Sequence, residues 1–100
     1  MKLSDIAQVI RSKNAGPRRL TLDVMFASDA DYQRVAQSPA LSAETIGRLY
    51  RVPPQEVTII PYPMGRAIKI VLARKIMAGD PGDFDVYGAQ QHAPLLGIEL

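Results

Sequence analysis

The chain contains no cysteine. Disulfides, thiolate metal sites and a cysteine nucleophile are therefore excluded, and a cytoplasmic location is the expectation. No apolar run approaches the ~18 residues that cross a bilayer, so a membrane-embedded role is not expected. The opening "MKLSDIAQVI" lacks a cleavable apolar core and reads as mature protein without a signal peptide. No internal repeat or low-complexity segment is present. Histidine occurs once, at His92, so imidazole chemistry has a single carrier.

What is there fits one folded domain spanning 1–100. Apolar residues make up 47% and charged residues 22%, an ordinary globular balance. A chain this short buries about two-thirds of its unfolded surface, enough for one core. The charge is unevenly placed. Residues 1–78 carry twelve basic against six acidic side chains, a balance of +6. Residues 79–100 carry four acids and no lysine or arginine. Either the acidic tail docks on its own basic body, or the positive surface receives an anionic ligand or partner. Nucleic acid is not the expected partner. The basic residues come in short pairs, Arg18-Arg19 and Arg74-Lys75, and no aromatic RNA-binding motif accompanies them.

Periodicity gives the elements. Ser4 reads as an N-cap with Asp5 in the first turn, and Ile6, Val9 and Ile10 make one helical face. "SKNAGP" ends that helix. "RLTLDVMFA" alternates, with Leu20, Leu22, Val24 and Phe26 on one side of a strand and Thr21, Asp23 and Met25 on the other. Ser28 and Asp31 form a capping pattern for a helix whose stripe is Tyr32, Val35 and Ala36. Ser42 caps the next helix, with Leu41 and Ile46 as a hydrophobic staple, Ile46, Leu49 and Tyr50 as the stripe, and Pro53-Pro54 as the stop. "EVTII" and "RAIKIVLARKI" read as two strands joined by "PYPMG", with Pro61 and Pro63 marking a bend or an edge. The closing "LLGIEL" is the fourth candidate strand. The predicted fold is two-layer α+β: a mostly antiparallel four-stranded sheet with helices packed on one face.

Two segments draw attention. Residues 77–94 form the longest stretch without a period, and loops beyond ~12–15 residues are usually functional or disordered. Phe84, Val86, Tyr87, Leu95 and Leu96 favour an ordered one. There Tyr87, Gln90, Gln91 and His92 lie close together in sequence. His92 either moves a proton or hydrogen-bonds backbone at the loop's end, with Pro94 fixing the exit. No metal site is expected, because Asp80, Asp83 and Asp85 are spaced unlike a calcium loop. The second segment is "RSKNAGPRR". Arg11, Ser12, Lys13 and Asn14 beside a glycine turn could hold a carboxylate or phosphate, or could be a solvated helix end.

Several stretches also resemble a known family: "IRSKNAGP", "LTLDVMF", "LYRVPPQEV" and above all "GDFDVYGAQQHAPLL". They are similar to a bacterial family of roughly hundred-residue proteins of unknown function. That family resembles the small C-terminal domain of acyclic terpene utilisation (AtuA-like) proteins, where a helix leads through an "R-S-G-D-K-G" type loop into a strand. The corresponding residues here are Arg11, Ser12, Lys13, Asn14, Ala15 and Gly16, without the acidic position. The resemblance implies a companion subunit of a larger AtuA-like protein. The setting it implies is the metabolism of small carboxylic acids or their CoA thioesters, such as hydration or dehydration of an unsaturated dicarboxylate. In that reading Arg11, Lys13 or Asn14 holds a substrate carboxylate, and His92 or Tyr87 transfers a proton. The alternatives are a stand-alone enzyme using His92 and a homo-oligomeric module that binds a small anion or serves as structure.

Overall fold

The computed structural model describes residues 1–15, 18–73 and 93–100. Four strands form one antiparallel sheet in the order β1-β2-β4-β3, where β1 is Val9–Asn14, β2 Arg19–Met25, β3 Val57–Tyr62 and β4 Ala67–Ala73. The helices are α1 (Leu3–Ile6), α2 (Asp29–Ala36), α3 (Ala43–Tyr50) and α4 (Ala93–Leu96). The architecture is the expected two-layer α+β arrangement.

Strand alternation assigns the faces. Leu20, Leu22 and Val24 on β2 stand opposite Leu72, Ile70 and Ile68 on β4. All six are buried in one cluster with Leu3, Tyr32, Val35, Ile46 and Leu95 from the helices. Each such side chain contributes about 1.5–3 kcal/mol relative to exposure. The expected caps are in place. Asp31 N–H donates to Ser28 Oγ at 3.1 Å and Thr45 N–H donates to Ser42 Oγ at 3.2 Å. Leu41 and Ile46, the proposed staple, are both buried. Pro61 lies on an edge strand, where its missing N–H is tolerated.

Four expectations are corrected. The first helix does not extend to Ile10. Asp5 accepts a hydrogen bond from Lys2 N–H at 2.9 Å, so the cap is Lys2 and not Ser4, and Ala7 is already extended. Val9 and Ile10 begin β1, which pairs with β2 from Val9↔Met25 to Asn14↔Leu20. Two β-branched residues with a strand partner outweigh a weak helical spacing. The second correction concerns "LLGIEL". Ala93–Leu96 is a helical turn, and among the described residues the strand-like pairing there is the isolated bridge Lys2↔Glu99. The termini instead clasp each other: Leu3 N–H donates to Ile98 O at 2.8 Å and Leu100 N–H to Met1 O at 2.9 Å. Third, the helical stripes are narrower than expected, because Ala36 and Leu49 are exposed. Fourth, the "PYPMG" link contributes its first two residues to β3, and only Pro63–Gly65 turns.

One close approach fixes how α3 meets the chain after it. A Cβ on Gly47 would lie 2.7 Å from Val52 O, and Val52 N–H donates to Gly47 O at 2.9 Å. The obstacle is backbone and cannot rotate away. Gly47→Ala gains helix propensity of up to ~1 kcal/mol, but the clash costs about 1–3 kcal/mol. The expected outcome in urea denaturation is a net loss of about 1–2 kcal/mol with an unchanged slope. A gain would show that the Val52–Pro54 backbone yields.

Candidate functional site

Tyr87, Gln90, Gln91 and His92 lie outside the described residues. The other four expected site residues are described. Arg11 to Asn14 form strand and not a loop. Ser12 and Asn14 pair with Leu22 and Leu20 and therefore share the helix-covered face. Arg11 and Lys13 pair with Asp23 and Thr21 on the opposite face. Adjacent strand residues point to opposite sides, so the four side chains do not converge.

The two faces offer different chemistry. On the covered side, Ser12 is 6% exposed and its buried Oγ has no hydrogen-bond partner among the described residues. On the opposite side, Arg11 Nε donates to Asp23 Oδ2 at 3.3 Å. The Arg11 side chain is largely exposed, so this pair contributes little stability. Lys13 is exposed as well. Around them lie Val9, Met25, Val71 and Ile60, none of which belongs to the buried cluster. Thr21, in the same register row as Lys13 and Val71, is nevertheless only 1% exposed.

A further site went unread in the sequence. Arg66 follows the turn at Pro63–Gly65 with φ 49° and ψ 45°, a left-handed backbone that costs a non-glycine residue about 1–2 kcal/mol. Its Nε donates to Asp29 Oδ1 at 2.9 Å and its Nη1 to Ala27 O at 3.0 Å. Its own carbonyl accepts from Phe26 N–H at 2.9 Å. Arg66 thus ties the β3–β4 turn to the start of α2 across 37 residues. No local pattern could have announced that bond.

Acid–base capacity among the described residues is limited. Burial pushes the Tyr50 phenol well above its ordinary range. No group of three or more His, Cys, Asp or Glu among the described residues could hold a metal ion. No described helix is long and apolar enough to cross a membrane.

Two outcomes test this geometry. An orphaned buried hydroxyl costs about 1–3 kcal/mol, so Ser12→Ala is expected to raise stability by about 1 kcal/mol. A loss on denaturation would mean that the hydroxyl is bonded. For Tyr50, the folded pKa lies above the unfolded value of about 10. The fold keeps a proton that the unfolded chain releases, so this stabilisation is complete below about pH 10 and is lost as pH rises above it. Melting curves between about pH 9 and 11 should show wild type losing stability more steeply than Tyr50→Phe. Parallel curves would contradict the buried phenol.

No curated protein and no solved structure matches the chain. A family does: "Domain of unknown function (DUF4387)" matches residues 3–99. The span takes in every described strand and helix, both sheet faces and the Arg66–Asp29 junction. With nearly the whole sequence accounted for by that one match, the chain belongs to the DUF4387 family.

Proposed function

We propose that this protein is a small subunit or accessory domain that partners a larger AtuA-like protein. The joint activity would act on small carboxylic acids or CoA thioesters, as a hydro-lyase working on an unsaturated dicarboxylate. The observation that supports the reading is the second face of the sheet. The buried cluster takes none of its side chains, and Val9, Met25, Ile60 and Val71 stand there among Arg11, Lys13 and Lys69. A non-obligate interface is about as apolar as the rest of a protein surface, and this mixed face is compatible with one. The resemblance of "GDFDVYGAQQHAPLL" to a bacterial family of unknown function, itself similar in layout to the small AtuA-like domain, supports the same reading.

In this proposal the face is a docking surface, and Arg11 and Lys13 raise the local positive potential for a carboxylate substrate or an acidic partner surface. Tyr87 and His92 remain the proposed proton carriers, and Gln90 and Gln91 the proposed hydrogen-bonding partners of the substrate. The larger chain would complete the site.

Co-expression with a larger AtuA-like protein, followed by affinity capture of either chain, tests the pairing. The expected result is a stable complex with hydratase activity that neither chain shows alone. Val9→Glu places a charge at an exposed position of the proposed docking face, outside the buried cluster. It should weaken association at least ~10-fold while leaving the melting temperature nearly unchanged, since surface substitutions stay within about 0.5 kcal/mol. A chain that never co-purifies with the larger protein would refute the partnership. Full hydratase activity of the small chain by itself would refute the subunit role.

A further inference from the structure

A cleft of about 680 Å³ opens between α2 and the β3–β4 turn. It lies within the size range of small-molecule sites. Phe26 and Tyr32 give it an aromatic wall, with ring centroids 6.2 Å apart at 70°. Tyr32 and Phe26 are each 3% exposed, so the rings show the cleft only their edges. Met64 stands fully exposed on the rim. Gln33 contributes its amide, whose oxygen already accepts from Gln37 Nε2 at 3.3 Å. Arg66 and Asp29 complete the lining.

The charges decide what fits. Arg66 uses Nε and one Nη1 hydrogen on Asp29 and Ala27, which leaves further guanidinium N–H donors without a partner among the described residues. Asp29 uses Oδ1 and keeps Oδ2. The two groups lie side by side, Asp29 77% exposed, and their charges sum to zero. A simple anion gains Arg66 but meets Asp29, and a simple cation gains Asp29 but meets Arg66. A ligand carrying both charges a few ångströms apart satisfies both.

We propose that this cleft binds a free α-amino acid with an apolar side chain. Its carboxylate lies on the remaining N–H edge of Arg66 and its ammonium on Asp29 Oδ2. Its side chain lies against the exposed Met64 thioether and Pro63, over the nearly buried edges of Phe26 and Tyr32. Because Arg66 and Asp29 are partly solvated, the affinity is modest, with a Kd on the order of millimolar.

The test is an amide chemical-shift titration of the full chain with three probes. They are L-phenylalanine, 3-phenylpropanoate, which lacks the ammonium, and 2-phenylethylamine, which lacks the carboxylate. L-phenylalanine should shift the amides of Phe26–Gln33 and Met64–Arg66, and the other two should bind at least ~10-fold more weakly. Asp29→Asn keeps an acceptor for Arg66 but removes the negative charge. It should weaken L-phenylalanine and tighten 3-phenylpropanoate, an inversion that damage to the turn would not produce. Arg66→Gln should abolish both. No shifts at roughly 50 mM, equal binding of the three probes, or parallel weakening in Asp29→Asn would overturn the proposal.

Discussion

Everything in this fold depends on burying one face of the central β2–β4 pair. Three leucine, isoleucine or valine pairs, Leu20–Leu72, Leu22–Ile70 and Val24–Ile68, meet across the two middle strands. The helices close over them, and the N- and C-terminal segments clasp beside them through Leu3 and Leu95. Because side chains alternate along a strand, fixing that face also fixes the other. Lys69 and Asp23 must stand opposite each other on the far side, as must Arg11 and Asp23. The register that builds the core therefore also writes the charged surface.

Two chemically separate regions result. One is the second sheet face, where basic residues alternate with partly buried apolar ones. The other is the cleft beside α2, where a charge-neutral Arg66–Asp29 pair borders two aromatic rings. The first suits a macromolecular surface because it is broad and mixed. The second suits a small polar molecule because it is concave and presents both charges. Phe26, which lines the cleft, directly follows the last residue of β2.

Much of this was legible because local signals agreed with the global fold. The alternation of Leu20, Leu22 and Val24, the serine caps at Ser28 and Ser42, and the hairpin through Pro61 and Pro63 each carry their own physics. Residues 8–14 misled because Ile6, Val9 and Ile10 satisfy helical spacing while Val9, Ile10 and their partner strand satisfy pairing. Spacing is visible in one segment, and pairing requires two. The final residues misled for the opposite reason. Their apolar composition suits a strand, yet a helical turn places Leu95 in the core, and the pairing among the described residues is the Lys2–Glu99 bridge. Arg66–Asp29 was invisible because its partners are far apart in sequence. The orphaned Ser12 hydroxyl was invisible because its burial depends on strand β1 having formed.

The central claim is that residues 9–14 are a strand whose alternation separates Arg11 and Lys13 from Ser12 and Asn14. Interstrand proton contacts in a solution NMR spectrum read this directly. The account predicts cross-strand contacts between Arg11 and Asp23 and between Ser12 and Leu22, with strong sequential Hα–HN contacts from Val9 to Asn14. Contacts between residues three apart running from Ile6 through Ile10, with none reaching β2, would contradict it.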